Sequence, residues 1–335
     1  MHLAGLTEQA LVGAGTRPAH ARALVSWFAG RGPRPKAADA HDSTLPEFEA
    51  VADADGTVRF AVRLGDGELV ETVLIHQEAG ERRARSRWTV CLSSQVGCAR
   101  GCVFCETGRL GLRRNLSAVE IVVQYAIAAR HLRERPQNVV FMGMGEPLDN
   151  LEQVLQAIAV LREPAGFAVP ERRITVSTVG IVPKLDELYA RTKANLAVSL
   201  HAVDPAERRA LLPVARKWPL AELRHAIARA PRTVLLQWTL IENVNDTDHH
   251  ADSLASFARG LDVRVNLIPL NPGPIASQRA PPPARCRAFQ KRLADAGVRT
   301  LLRMPHGRQI GGACGQLAGA QRKSGQKPAD RDART

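Results

Sequence analysis

The sequence has no uncharged apolar stretch approaching the roughly 20 residues that a bilayer-spanning helix needs. Its opening, MHLAGLTEQALVGAGTRPAHA, lacks a basic segment followed by an apolar core. Both absences lead us to expect a cytoplasmic protein with no membrane partner. Six cysteines in 335 residues are too few for a disulfide scaffold, and no internal repeat recurs at a fixed period. Acidic residues are in deficit: 33 Asp+Glu against 46 Lys+Arg leave a formal charge of +13. That surplus favours a polyanionic partner, nucleic acid ahead of an anionic membrane surface. With 45% hydrophobic and 24% charged residues the balance is globular, which excludes disorder, collagen and a coiled coil for most of the chain.

Residues 1–45 read as a small helical module, with LTEQALVGAG and ARALVSWFAG as two apolar-periodic segments, followed by a Gly/Pro-rich linker. Residues 46–87 read as a β-hairpin extension and charged loop: TVRFAVRL and ELVETVLIH flank the Gly65-Asp66-Gly67 turn signal. Residues 88–319 carry the apolar runs WTVCLSS, NVVFMGM, ITVSTVG, LAVSLHA, TVLLQWTLI, RVNLIPL and RTLLRM with helical patterns between them. Strands alternating with helices predict an α/β fold of about six βα units around a parallel sheet, short of a complete eight-unit barrel. Two helix starts are marked by Ser117 with Glu120 and by Asp204 ahead of Pro205. The Asn271–Ala284 stretch, with five prolines, reads as a long loop, and residues 320–335 as a basic disordered tail.

Four of the cysteines fall between Cys91 and Cys105. Cys98, Cys102 and Cys105 follow directly on the first parallel strand, so their thiolates sit where α/β barrels place chemistry. Three thiolates can bind three irons of a four-iron cluster and leave the fourth iron open to an outside ligand. A structural zinc site is the alternative, with His76 or Cys91 as fourth ligand, although zinc more typically takes two CxxC pairs.

Downstream, Gly143-Met144-Gly145-Glu146-Pro147 closes the second strand. The glycines allow close backbone approach to a ligand and Glu146 offers a carboxylate to an ammonium group; a tight βα turn is the plainer reading. Ser177, then Ser199, Leu200 and His201, and Asn271 each lie at a strand end on the same face. Cys314 sits among Gly311, Gly312 and Gly315, which suits a thiol that must reach into a site and change partners. Cys286, at helical spacing with Phe289 and Leu293, reads as core. Cys91 by itself reads as a buried strand cysteine and Glu71 as an exposed strand glutamate.

The CxxxCxxC loop after a first strand resembles the signature of the radical S-adenosylmethionine (SAM) superfamily. Taken with ETVLIH from Glu71, CLSSQVGCARGCVFCETG from Cys91, RRNLSAVEI from Arg113, GMGEPLDN from Gly143, ITVSTVGIVP, AVSLHA, VNLIPLNP and ACGQLAG from Ala313, the chain resembles the RlmN/Cfr-type RNA adenine methyltransferases over roughly residues 70 to 320. The helical module is similar, more loosely, to that family's RNA-binding appendage.

The resemblance implies a partial (βα)6 radical SAM barrel. It implies one [4Fe-4S] cluster on Cys98, Cys102 and Cys105 and two molecules of SAM per turnover. It implies SAM contacts at Gly145, Glu146, Ser177, Ser199, Leu200, His201 and Asn271. One SAM would methylate Cys314; a radical from the second would take hydrogen from that S-methyl group. The methylene would add to an adenine carbon of rRNA or tRNA, at carbon 2 in preference to carbon 8. Glu71 would accept a proton and Cys91 would resolve the protein–RNA adduct by forming a disulfide with Cys314. An electron donor such as flavodoxin and a monomeric state are also implied. Two other readings stand beside this one: a non-catalytic, metal-stabilised RNA-binding protein, and a radical SAM enzyme acting on another substrate.

Overall fold

Alternating apolar residues bury Val58, Phe60 and Val62 on one face of a strand, as a half-covered sheet requires. The computed structural model describes residues 1–79, 85–273 and 275–318. In it β1 (Phe48–Ala52), β2 (Val58–Arg63) and β3 (Leu69–Gln77) run antiparallel. The expected hairpin is β2–β3. Strand β1 was not legible, because all five of its residues are exposed and no alternation marks it; Phe48 holds it down edge-on against Phe60, 5.8 Å between ring centroids.

β3 pairs antiparallel with β4 (Arg87–Cys91), and from there the sheet turns parallel. β5 (Gln95–Cys98) and β6 (Gly111–Asn115) form a separate antiparallel ribbon. The main sheet continues through β7 (Asn138–Phe141), β8 (Ile174–Thr178), β9 (Asn195–Ser199), β10 (Val234–Leu240), β11 (Val263–Pro269) and β12 (Thr300–Leu302). All seven apolar runs read from the sequence are thus strands, joined by helical crossovers. The outer strands β1 and β12 do not pair with each other among the described residues, so the curved sheet is open, as a partial barrel is.

At the N-terminus, α1 (Glu8–Gly13) and α2 (Pro18–Phe28) lie beside the barrel. A short α3 (Glu106–Arg109) follows the cysteine loop, and α4 (Ala118–Leu132) and α5 (Leu151–Arg162) are the first crossovers. Contacts between the N-terminal segment and the barrel are specific. Arg31 Nη1 donates to the carbonyls of Pro164 and Gly166 at 2.9 and 3.2 Å, and Phe28 meets Phe167 edge-on. The capping signals hold: Ser117 and Glu120 form the full capping box of α4, and Asp204 accepts from the Ala206 and Glu207 amides ahead of the helix Pro205–Leu211. Cys286, Phe289 and Leu293 are buried together, as core. The expected linker holds one turn of 3-10 helix, Lys36–Ala40, with Ala38 buried. Residues 320–335 and part of the charged loop, 80–84, lie outside the described residues.

Candidate active site

β5 ends on Cys98, and the chain returns through Cys102 and Cys105 into α3. Only glycine fits at position 97: its φ is +77°, and a Cβ there would lie 1.8 Å from the Gly111 carbonyl oxygen. Arg100 grips Asp149 through both Nε (2.6 Å) and Nη2, which fixes the middle of the loop against the turn after β7. The three thiols face one cavity of about 140 Å³ at the C-terminal ends of the parallel strands. Burial pushes the Cys98 thiol up to about 12. Burial, and then the neighbouring Cys105 and Cys98, push Cys102 well up; burial likewise raises Cys105. Buried thiols this close together become stable thiolates when they bind a cation, so the donor set fits a metal cluster. Among the described residues no three His, Cys, Asp or Glu side chains converge on a point suited to a single ion, whereas a four-iron cluster takes one thiolate at each of separate irons.

The rest of that cavity is built from strand ends. Gly145 and Glu146 follow β7. Glu146 accepts the amides of Leu148 (3.0 Å) and Val179 (2.9 Å), yet burial outweighs these bonds and pushes its carboxyl up to about 7. Ser177 and Ser199 line the cavity from β8 and β9. His201 stands at a positive φ of 58°. Its Nδ1 accepts the Thr239 amide at 2.8 Å and its carbonyl accepts from Asn245 Nδ2 at 2.8 Å, which hold it there. Burial, with Arg208 nearby, lowers its pKa to about 3, so the ring is neutral with Nε2 protonated. Leu200 is fully buried and does not line the cavity; its carbonyl accepts from Arg208 instead.

Cys314 lines this cavity and also an adjoining one of about 90 Å³, whose wall includes Cys91, Met142, Arg303 and Met304. Its segment is tied down on several sides. Asn271 Nδ2 donates to the Cys314 carbonyl at 3.1 Å, the Glu106 amide to the Gly315 carbonyl at 2.8 Å, and Thr107 Oγ1 to the Leu317 carbonyl at 2.7 Å. The Cys314 thiol is exposed while that of Cys91 is buried and pushed up to about 12 by burial, then by Cys314. Glu71 departs from its expected exposure. It is buried, paired with Arg59, and accepts the Ala318 amide at 2.7 Å. It lines neither cavity, because its strand position points it beneath the Cys314 segment.

Other residues of the cavity were not foreseen. Gln237 and Thr239 alternate along the otherwise apolar β10, a signal present in TVLLQWTLI, and Phe104 stands within the cysteine loop, edge-on to His201 at 4.8 Å. Arg208 is buried and donates to the carbonyls of Val179 (2.9 Å), Ser199 (3.0 Å) and Leu200; nothing in the local sequence distinguishes it from a surface helix arginine.

The model of the radical SAM superfamily matches residues 92–253. The chain is 48% identical over 305 residues to the probable RNA methyltransferase sce1580 of Sorangium cellulosum, covering 87% of this chain and 75% of that protein. It is 45% identical over 269 residues to the dual-specificity RNA methyltransferase RlmN of Syntrophobacter fumaroxidans, covering 78% and 77%. A radical SAM methyltransferase from Sphaerobacter thermophilus is similar in structure, with a TM-score of 0.85 at 38% identity over 95% of this chain and 99% of that one. Membership of the superfamily implies a [4Fe-4S] cluster and SAM, and the buried thiols and polar strand ends fit both. The chain belongs to the RlmN family of radical SAM RNA methyltransferases.

Proposed function

We propose that this enzyme methylates an adenine ring carbon of rRNA or tRNA, carbon 2 in preference to carbon 8, through a methyl group carried on Cys314. The observation that carries this reading is the position of Cys314, on the wall shared by the cavity of the three cluster cysteines and the cavity of Cys91. An aromatic adenine carbon is a poor nucleophile, so direct polar transfer from SAM does not serve.

Cys98, Cys102 and Cys105 would hold the cluster, which when bound would supply the electron for cleavage of SAM to a 5′-deoxyadenosyl radical. Glu146 receives the SAM ammonium group, and Gly145, Ser177, Ser199, His201 and Asn271 shape its seat, while Leu200, the remaining residue the resemblance implies, stands behind the cavity wall with its carbonyl bound by Arg208. Cys314 is first methylated by one SAM, and its S-methyl group then gives up hydrogen to the radical made from a second. The resulting methylene adds to the adenine. As the ring proton leaves, the open-shell adduct would return one electron to the oxidised electron carrier. Attack by the Cys91 thiolate on the Cys314 sulfur would then break its bond to the methylene carbon, which takes up a proton, leaving a methyl group on the ring and a Cys91–Cys314 disulfide that an external dithiol reduces before the next turnover. Glu71, proposed as a proton acceptor, also steadies the Cys314 segment through the Ala318 amide. The chain divides into a helical module of residues 1–45 that contributes to holding RNA, an extension 46–87, a catalytic barrel 88–319 and a basic tail 320–335. The protein works as a cytoplasmic monomer fed by an electron donor such as flavodoxin.

The test is nucleoside mass spectrometry on separated rRNA and tRNA from cells lacking the protein and complemented with wild type or Cys314→Ala. A methyladenosine restored by wild type alone supports the reaction and identifies the ring carbon and RNA class. No Cys314-dependent change in either fraction, with an iron-loaded protein, overturns it.

A further inference from the structure

A groove of about 890 Å³ lies far from the cysteines, along the seam between the N-terminal helices and the barrel. Its walls come from the end of α2, the C-terminal end of α4 and the segments leading into β7 and β8. Those segments mark the N-terminal ends of the strands, whereas the catalytic cavities open at the C-terminal ends. Six arginines line it: Arg31, Arg130, Arg133, Arg135, Arg172 and Arg173. Glu134 is the single carboxylate on its wall, which leaves a formal excess of five positive charges.

None of the six takes part in an ion pair among the described residues. Several other surface arginines are matched with carboxylates, Arg34 with Asp39, Arg114 with Asp66 and Glu120, Arg191 with Glu152, Arg229 with Asp186, Arg292 with Asp252, and those that are not, such as Arg17, Arg63 and Arg264, are not gathered along this groove. In the groove the guanidinium groups are instead held by neutral oxygens. Arg31 uses the Pro164 and Gly166 carbonyls, Arg135 the Phe167 carbonyl at 3.1 Å, and Arg173 Asn138 Oδ1 at 3.3 Å. Arg130 lies over the Phe28 ring at 5.7 Å. The negative end of α4 accounts for Arg130 and Arg133 in part; it does not reach Arg31, Arg172 or Arg173. Oriented guanidinium groups left without carboxylates in a concave seam are suited to phosphate, which arginine binds through paired N–H donors.

We propose that this groove is a second RNA contact, gripping backbone phosphates at the end of the barrel opposite the reacting nucleotide. The inference rests on the RNA methyltransferase reading above. β7 and β8 are four and five residues long, so only roughly 15 Å of sheet separates the groove from the catalytic mouth, a span that a folded RNA covers by wrapping one flank. Contacts of this kind set orientation and affinity without choosing the base.

The test uses the cluster-loaded enzyme carrying Arg133→Ala and Arg172→Ala together, two exposed side chains without partners among the described residues. Binding to tRNA and protein-free rRNA from cells lacking the protein is measured from low to moderate salt. The double variant is expected to lose about 0.7–0.9 of the log–log salt slope per phosphate contact removed, so about 1.5 in all, with KM for RNA raised roughly tenfold and kcat at saturating RNA unchanged. If wild type binds RNA and the double variant binds with the same affinity and slope, the groove is not an RNA contact while the enzymatic reading stands. If polyglutamate of matched charge displaces RNA from wild type as well as RNA itself does, the groove belongs to an acidic protein and the proposal is overturned. If wild type neither binds nor modifies either RNA, both readings fall together.

Discussion

Asn271 donates from Nδ2 to the carbonyl oxygen of Cys314 at 3.1 Å while its Oδ1 accepts from Arg308 Nε at 3.0 Å. One amide thus joins the end of β11 to the segment bearing the reactive thiol. Asn271→Ala removes both bonds, at a cost of about 1 kcal/mol each, and frees that segment. The expected result is a several-fold fall in Cys314 methylation during SAM turnover, read by mass spectrometry of the intact protein, with iron content unchanged.

The two thiols differ in reactivity for a reason that sets a pH dependence. Cys91 is buried and its pKa is pushed up to about 12, so below about pH 9 it is almost wholly protonated. Its alkylation should therefore climb about tenfold per pH unit between pH 7 and 10, because the thiolate is the reacting form. The exposed Cys314 should be modified first at every pH. Timed iodoacetamide labelling with peptide mapping checks this; equal rates at neutral pH would show that Cys91 is not shielded. The same shift acts on stability. The unfolded thiol releases its proton near 9 and the folded one near 12, so the contribution of Cys91 is intact below pH 9 and is lost between pH 9 and 12.

Gly97→Ala places a methyl group 1.8 Å from the Gly111 carbonyl oxygen, against backbone that cannot yield. The β5–β6 ribbon should open and Cys98 move off the cavity wall. After anaerobic reconstitution the variant is expected to hold well under half the iron of wild type per chain, by colorimetric assay, with the far-ultraviolet circular dichroism of the remaining barrel preserved.

Arg208→Met leaves the buried carbonyl oxygens of Val179 and Leu200, and the part-buried one of Ser199, without this donor. A loss on the order of 3 kcal/mol in urea unfolding is expected. SAM affinity should fall as well, because these carbonyls belong to the strand ends that frame the seat. Arg208→Lys, with one compact ammonium in place of a fork, should recover only part of it.

How far the sequence carried the fold is best judged strand by strand. The seven apolar runs became the parallel strands because a buried parallel sheet writes itself as continuous apolar sequence. β1 and β6 write no such signal. FEAVA is exposed along its length and GLRRN is charged and mostly exposed, so each exists through the partner it pairs with. Within the site, the cysteine loop, Glu146, Ser177, Ser199 and His201 were legible from their place at strand ends. The burial of Glu71 was not legible from the residue alone, because a strand glutamate is ordinarily solvated and its burial depends on Arg59 and on residue 318, far away in sequence. Arg208 and the six groove arginines belong to the same class of omission: what distinguishes them is which carbonyls or carboxylates surround them, a property of the folded surface alone.

The bonds from Asn271, Glu106, Thr107 and Glu71 all converge on residues 314–318. During synthesis, Cys314 therefore emerges after every other residue of the site, and its segment closes over strands and loops already made. A nascent chain has Cys98, Cys102 and Cys105 about 200 residues before it has Cys314. On the mechanism proposed above, the thiols that would hold iron precede the thiol that would carry the methyl group, and the site closes only when this last clasp is fastened.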